Sequence, residues 1–464
     1  MLEQVKRVHM VGIGGIGMSG IAQLLHSLGY EVNGSDLVAS RAVARLRAAG
    51  ISVSEGHAAG YVGATDLVVV SSAVPDDNPE VVEASRRRIP VVGRGAMLAE
   101  IARLKRSIAV AGSHGKTTTS SMVALVLEAA GFDPTAVIGG IVSAFGSNTR
   151  QGRGPFIVVE ADESDRSFLH LDPEIAVLTN VDDEHIDAYD GLQGLVRAFE
   201  EFATRVPSNG CVVVCADDVR LSSLASQCPR HILTYGIEAT EASVRADDIE
   251  LDPDGSRCRV TVTTGATAGE VALSLPVPGR HNLRNALAAV AVASWLDVDP
   301  GVAVDALGRF SGVHRRFQRY RTAGKVDVVD DYGHHPTEIA AVLDTARLSQ
   351  PGRLVVLFQP HRYTRTARLL NRFGEVLARA DAVVLTDIYA ASEPPIAGTD
   401  AAAVAAAVRR HASISVEVAD SLDAAAGLAV ASVGCGDMVV VLGAGSVGRL
   451  VPRVIELLER RSAS

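Results

Sequence analysis

Lysine is nearly missing from this chain. Of its 464 residues 44 are basic, yet only Lys6, Lys105, Lys116 and Lys325 are lysines. Any chemistry that needs a primary amine therefore has four candidates. A basic excess is missing too. The formal charge is −10, which excludes the broad basic face that nucleic-acid binding requires. A local basic pocket for a small anion stays possible. No apolar run approaches the ~20 residues of a membrane span. The N-terminal segment carries Glu3, Lys6 and Arg7 and is then broken by glycines, so it reads as strand and turn, not as a signal peptide. Cysteine is sparse, with five irregularly spaced residues. That fits a reducing, cytoplasmic setting and no disulfide framework. Cys211 and Cys215 bracket three valines and read as core thiols on a strand.

What is present is apolar residue, 47% of the chain, enough at this length for more than one core. Strand-like and helix-like segments alternate, which implies parallel sheets covered by helices, the α/β class. The first alternation has strands at 5–13, 31–35 and 67–71 and helices at 16–28 and 41–49. The second begins at 107 and has strands at 156–159, 175–178 and 211–215. Residues 238–276 are acidic, rich in Thr and Val and punctuated by turns, as in an antiparallel insertion. The third has strands at 326–329, 354–358, 382–385 and 438–442, and its alanine run at 400–408 is expected as a helix. The expectation is three α/β domains: Rossmann-like over 1–105, a central P-loop ATPase-like domain with a parallel sheet over 106–320, and a second Rossmann-like domain over 321–464.

Residues 111–119 read Ala-Gly-Ser-His-Gly-Lys-Thr-Thr-Thr, after an apolar run and before a helix-like stretch at 120–130. A strand, a Gly-Lys-Thr turn and a helix make a phosphate cradle, in which backbone N–H groups face the anion and the lysine adds a point charge. Thr117 is placed to hold magnesium on the phosphates. Val110 stands where the usual motif has its first glycine, so the loop is the short Gly112-Ser113-His114-Gly115-Lys116-Thr117, unlike those of G proteins and motor ATPases. A second loop, Gly12-Ile13-Gly14-Gly15-Ile16-Gly17, also joins strand to helix, and Asp36 ends the next strand. That pattern binds a diphosphate joined to a ribose. NAD and a UDP-sugar both satisfy it. Gly443-Ala444-Gly445-Ser446-Val447-Gly448 repeats the spacing, but only 16 residues follow it, so it reads as structural.

Charged clusters fall after the expected strands. Glu160-Ala161-Asp162-Glu163-Ser164-Asp165 follows the strand at 156–159, where an acid faces the ligand crevice and can reach a nucleotide's metal. Asp182-Asp183-Glu184-His185-Ile186-Asp187 follows the next, with His185 a candidate metal ligand. Asn282 and Asn285 lie three apart on a helix face, suited either to an adenine edge or, for Asn282, to N-capping. Arg315 and Arg316 are suited to phosphoryl oxygens. Asp330-Asp331-Tyr332-Gly333-His334-His335 and Gln359-Pro360-His361-Arg362-Tyr363-Thr364-Arg365 end two strands of the third domain and should share one sheet edge, a pocket for a small molecule bearing an amine and a carboxylate.

Taken in order, GIGGIGMSG, AGSHGKTTT, EADESD, TNVDDEHIDAYD, PGRHNLRNALAA, GVHRRF, DDYGHHPTE and FQPHRYTRT resemble the Mur ligase family across essentially the whole chain. The resemblance implies ATP and magnesium, two ions, as cofactors, and UDP-N-acetylmuramate and L-alanine as the molecules joined through an acyl phosphate. A ligase that takes a tripeptide in place of alanine is the alternative. It also implies roles. Gly112, Ser113, His114, Gly115, Lys116, Thr117 and Thr118 would cradle ATP, with Asn285, Arg315 and Asp330 completing that site. Thr117, Glu160 and His185 would hold metal. Gly12, Gly14, Gly15, Gly17, Ser35, Asp36, Ser72, Arg94, Glu163 and Ser164 would bind the UDP-sugar. Tyr332, His334, Arg362 and Arg365 would orient L-alanine, and Lys116, His185, Arg315 and His334 would be catalytic. Several members carry a carbamylated lysine that bridges the metals. No lysine lies between Lys116 and Lys325, so that device is excluded, and Glu200 and Glu201 are the carboxylates that could replace it.

Overall fold

A computed structural model describes residues 2–71, 73–266 and 268–463. They form three sheets, each built where an apolar run is buried by helices. The first has strands β1 (Arg7–Val11), β2 (Glu31–Asp36), β3 (Ser52–Glu55), β4 (Leu67–Val70) and β5 (Val91–Gly93) in the order β3-β2-β1-β4-β5. All pair in parallel. The order reverses at β1, which puts the first glycine loop at the switch point of the sheet.

The second sheet has ten strands. In chain order they are β6 (Arg106–Ala111), β7 (Thr135–Val142), β8 (Ser147–Arg150), β9 (Phe156–Glu160), β10 (Ile175–Leu178), β11 (Cys211–Cys215), β12 (His231–Gly236), β13 (Val244–Asp252), β14 (Gly255–Val262) and β15 (Gly269–Leu275). Their order is β15-β14-β13-β12-β11-β10-β6-β9-β7-β8. The strand bearing the phosphate loop, β6, lies between β10 and β9 and is parallel to both. The ends of β9 and β10 therefore flank that loop. Only Pro253 and Asp254 separate the neighbouring strands β13 and β14. A two-residue link permits only an antiparallel hairpin, as the turn-rich composition implies. Cys211 and Cys215 are buried, and burial pushes their thiols up to about 12 and about 11.

The third sheet has β16 (Gln318–Arg321), β17 (Asp327–Asp331), β18 (Leu354–Phe358), β19 (Ala382–Leu385), β20 (Ser415–Val418) and β21 (Met438–Leu442), in the order β16-β17-β21-β18-β19-β20. β16 is antiparallel and the rest are parallel. Side chains alternate between two cores, as strand geometry requires. Leu354, Val356, Phe358, Met438 and Val440 enter one, and Val355, Leu357, Val439 and Val441 the other. The alanine run forms the helix Ala401–His411.

Three sheets do not make three compact units. One unit comprises Met1–Ile249, Arg257–Leu275 and Asn282–Ser311, and so contains the first two sheets' main strands; the other comprises Glu250–Ser256, Pro276–His281 and Gly312–Ser464. Within the first unit the helix after the first glycine loop (Ile16–Ser27) packs on the β7–β8 hairpin. Gly20 allows the approach, since a Cβ there would lie 2.7 Å from Thr149 Cγ2. Asn148 Nδ2 donates to Ile16 O at 2.7 Å, and Thr149 Oγ1 to Gln23 Oε1 at 3.1 Å. No helix among the described residues is long and apolar enough to cross a membrane.

Candidate active site

The phosphate loop leaves β6 at Gly112, and the helix Lys116–Ala129 begins at the lysine itself, four residues before the expected start. Gly112 has φ +138° and Gly115 φ +81°, conformations that side chains with a Cβ rarely adopt. Residues after β10 fix the turn. Ser113 N donates to Asn180 O at 3.0 Å, and His114 N to Asn180 Oδ1 at 2.8 Å. Thr179 Oγ1 donates to His114 O at 2.7 Å, and Asp182 N to Ser113 Oγ at 2.9 Å. His114 Nε2 lies 3.0 Å from Asp182 Oδ2. Thr118 is buried in the first turn of the helix.

Lys116 Nζ donates to Gly112 O at 2.6 Å and sits 2.8 Å from Glu163 Oε2. Burial works against the ammonium charge, but Glu163 and Asp162 outweigh it and hold Lys116 above its ordinary range. Burial pushes the Glu163 carboxyl up to about 7, against the pull of Lys116. Thr117 Oγ1 donates to Glu160 Oε1 at 3.0 Å. Glu160 Oε2 accepts from Gly139 N at 2.6 Å, and a Cβ on Gly139 would lie 2.6 Å from Glu160 Oε1. A hydroxyl and a carboxylate converging beside a phosphate loop are the hard oxygen donors that magnesium takes, so these residues fit the ion. His185 has φ +56°, and its Nε2 lies 3.5 Å from Glu184 Oε1, whose partner oxygen is 3.4 Å from His114 Nδ1. His185 thus connects to the loop through Glu184.

Asn285 lies directly behind the turn. A Cβ on Gly115 would sit 2.6 Å from its Oδ1, and Thr119 Oγ1 donates to that same oxygen at 3.1 Å. Its helix runs Arg280–Trp295, so Asn282 lies within the first turn and is not the N-cap. Glu200 and Glu201 are exposed on the helix Gly191–Thr204, with Glu201 paired to Arg205 at 2.9 Å. An i,i+4 ion pair on a solvated face accounts for Glu201.

In the first glycine loop, Gly12 N and Ile13 N donate to Ser35 O at 2.9 and 3.0 Å. Gly14 N donates to Asp36 Oδ2 at 2.8 Å, and a Cβ on Gly14 would lie 2.8 Å from that oxygen. Asp36 therefore braces the loop. Gly15 carries the N-cap of the helix that follows. Gly17 leaves room for Arg94, whose Cδ would be 3.1 Å from its Cβ. Arg94 Nη2 lies 3.0 Å from Asp162 Oδ2 and 3.6 Å from Asp165 Oδ2, and Ser164 N donates to Asp162 Oδ1 at 3.0 Å. A single acidic segment, 160–165, thus serves Arg94 at the first loop and Lys116 and Thr117 at the second. Ser35 does not join this group. Its side chain is fully buried and donates to Glu80 at 2.8 Å. Ser72 lies outside the described residues.

In the other unit the ends of β17, β21 and β18 share one edge. Arg315, at φ +59°, sends Nε to Asp330 Oδ1 at 3.2 Å and Nη2 to Gly443 O at 2.6 Å. A Cβ on Gly448 would lie 2.4 Å from Arg315 Cζ. The last glycine of the third glycine loop makes space for a guanidinium. Burial raises the Asp330 carboxyl against the pull of Arg315. Arg315 and Arg316 both lie over the Tyr332 ring, at 5.0 and 5.3 Å. His334 Nδ1 is 3.1 Å from Tyr332 O, and its ring is 5.6 Å from that of His361, which stacks on Tyr389 at 5.4 Å. Arg365 is buried, and its Nη1 donates to His361 O at 3.1 Å. Arg362, at φ +70°, is more open and lies 3.9 Å from Glu393. The structure brings together Tyr332, His334 and, through His361, Arg365. His361, Tyr389, Asn180 and Gly139 went unassigned from sequence. Asn180, His361 and Tyr389 follow strands, and only those places could have singled them out; Gly139 lies within β7 and carried no such signal.

The fold and these loops define a triphosphate-binding α/β enzyme with three sheets. Three family profiles match successive parts of it: the Mur ligase family catalytic domain over residues 7–106, the Mur ligase middle domain over 110–293, and the Mur ligase glutamate ligase domain over 315–445. The chain belongs to the Mur ligase family. It is 50% identical over 459 residues to a UDP-N-acetylmuramate–L-alanine ligase of Solibacter usitatus, covering 99% of this chain and 96% of that one. It is 46% identical to the enzyme of the same name from Methylobacillus flagellatus, covering 99% and 98%. Among solved structures it is similar to UDP-N-acetylmuramate–alanine ligase from Thermotoga maritima, with a TM-score of 0.83, 31% identity and coverage of 99% and 100%. A murein peptide ligase from Psychrobacter arcticus shares the fold, with a TM-score of 0.73 at 24% identity.

Proposed function

We infer that this chain joins L-alanine to the lactyl carboxylate of UDP-N-acetylmuramate at the expense of ATP, releasing ADP and phosphate, in the cytoplasmic assembly of peptidoglycan precursor. The observation that supports this most directly is the shared acidic segment. One stretch of chain, 160–165, serves the loop for a ribosyl diphosphate and the loop for a triphosphate, as a reaction between the two ligands requires.

In this reading the γ-phosphoryl group passes to the lactyl carboxylate, the amine of alanine attacks the acyl phosphate, and phosphate leaves through a tetrahedral intermediate. Donor and acceptor are both anionic, so their approach needs cations. Lys116 supplies one and Arg315 another. Magnesium held by Thr117 and Glu160, with a second ion near His185, would neutralise phosphate and carboxylate charge. Asn285 orders the phosphate loop and serves the adenine; Tyr332, His334, Arg362 and Arg365 orient the amino acid; His185 or His334 takes the amine proton. The functional domains are 1–105, 106–320 and 321–464.

Phosphate release with alanine, glycine, serine and a tripeptide as acceptors tests the reading. Release should require both UDP-N-acetylmuramate and an acceptor, with the highest kcat/KM for alanine. Release driven by the tripeptide and not by alanine would replace it with a murein-peptide recycling ligase.

A further inference from the structure

Beneath the first glycine loop lies a buried polar network that none of these roles uses. Glu80 is completely buried. Its carboxylate lies 2.5 Å from His9 Nε2 and 2.7 Å from His57 Nδ1, and accepts from Ser35 Oγ at 2.8 Å. Burial opposes its charge, yet His9, Ser35 and His57 together hold the carboxyl below its ordinary range. Buried carboxylates persist only when satisfied in this way. His9 and Ser35 are themselves buried. His57 is the member that reaches the surface, with its side chain 14% exposed.

His57 follows β3, whose end pairs with Asp36 at the end of β2. It therefore stands at the carboxyl edge of the sheet, where ligands of this architecture bind. Its Nδ1 lies 2.7 Å from the Glu80 carboxylate, an acceptor only, and 3.1 Å from Ser35 Oγ, which donates to that same carboxylate, so the arrangement that satisfies all three groups puts a proton on Nδ1. In the singly protonated ring Nε2 is then an acceptor. That nitrogen has no partner among the described residues. Asp36, which usually receives the ribose hydroxyls, already accepts from Gly14 N and Val38 N.

We propose that His57 is a specificity residue for the nucleoside half of the UDP-sugar, its Nε2 accepting a hydrogen bond from a uridine donor, and that Glu80 is the positioning residue that fixes its tautomer and orientation. The proposal rests on the reading that this domain binds the UDP moiety. The donor is the uracil N3–H or a ribose hydroxyl, and both present the same chemistry to the imidazole.

Titration calorimetry on the full chain separates them, with UDP, its N3-methyl analogue and its 2′- and 3′-deoxy analogues as probes. One analogue should bind the wild-type protein about tenfold more weakly than UDP, the loss of one buried hydrogen bond. For His57→Ala that analogue and UDP should bind within about twofold of each other, and Glu80→Gln should shrink the difference while KM for ATP is unchanged. Analogues that all match UDP on the wild-type protein overturn the proposal, as does a penalty that persists in His57→Ala. The wild-type comparison needs no mutation, and His57→Gln replaces His57→Ala if the latter does not fold. Gly14→Ala isolates the underlying reading. UDP affinity unchanged by it removes UDP from this domain. UDP affinity reduced by it, with the His57→Ala penalty intact, removes only the role of His57.

Discussion

A methyl group on Gly112 should disable the phosphate loop in a way that a second substitution partly repairs. At φ +138° the added Cβ would lie 2.0 Å from Thr179 Oγ1, while the next nearest atoms, Asn180 N and O, stand at 3.1 Å. Two costs arise. The backbone conformation costs an alanine on the order of 1–2 kcal/mol. The overlap must expel the Thr179 hydroxyl, which donates to His114 O at 2.7 Å, for about 1–3 kcal/mol more. Gly112→Ala should therefore weaken ATP by roughly 2–5 kcal/mol in total, a fall of about 30-fold or more. Thr179→Ala alone should cost about 1 kcal/mol for its lost hydrogen bond. In the double variant no side-chain oxygen meets the new methyl, so the overlap disappears and only the backbone cost and the lost bond remain. A double-mutant cycle on nucleotide affinity by calorimetry should thus show a favourable coupling of about 1–3 kcal/mol. Strict additivity would refute the claim that contact with Thr179 is what demands a glycine at 112.

Gly139→Ala should push Glu160 away from Thr117, since its Cβ would lie 2.6 Å from Glu160 Oε1; the magnesium concentration for half-maximal turnover should rise several-fold with UDP affinity unchanged. Gly448→Ala should displace the Arg315 guanidinium, 2.4 Å from the new Cβ, and lower kcat by roughly 10²-fold if Arg315 stabilises transferring phosphate. Burial pushes Asp331 up to about 6 from 3.8, so the folded state binds the extra proton between those values. Its contribution therefore destabilises progressively as pH rises through that window. Asp331→Asn should flatten that part of the stability–pH profile in chemical denaturation. It should also cost about 1–3 kcal/mol, because Phe317 N and Gly333 N each donate to a different Asp331 oxygen.

The strands buried on both faces were fully legible in the sequence. Leu354–Phe358, Ala382–Leu385 and Met438–Leu442 end where their apolar runs end, because a parallel strand covered on both sides must be apolar throughout. The β7–β8 hairpin was not, because Gly139 and Gly140 interrupt one strand and Ser147–Arg150 is polar. The glycine loops were legible because their spacing is local. Asn180, which meets the phosphate loop, and Gly139, which meets Glu160, were not, because both contacts arise only through the adjacency of strands far apart in the chain. Ser35 was misplaced for a simpler reason. Successive residues of a strand face opposite sides, so Ser35 and Asp36 could not both face one ligand.

The Lys116–Glu163 pair gives the phosphate loop a built-in counter-anion. A bare lysine among inward-facing amides would hold any small oxyanion that diffused past. Here a newcomer must first outcompete a carboxylate already seated at contact distance, and a free phosphate ion brings few other contacts to offset that exchange. A nucleotide brings a chain of phosphates, a base and an accompanying cation. The loop is thus guarded against simple salts by its own protein, and occupancy reports the nucleotide, not the ionic background.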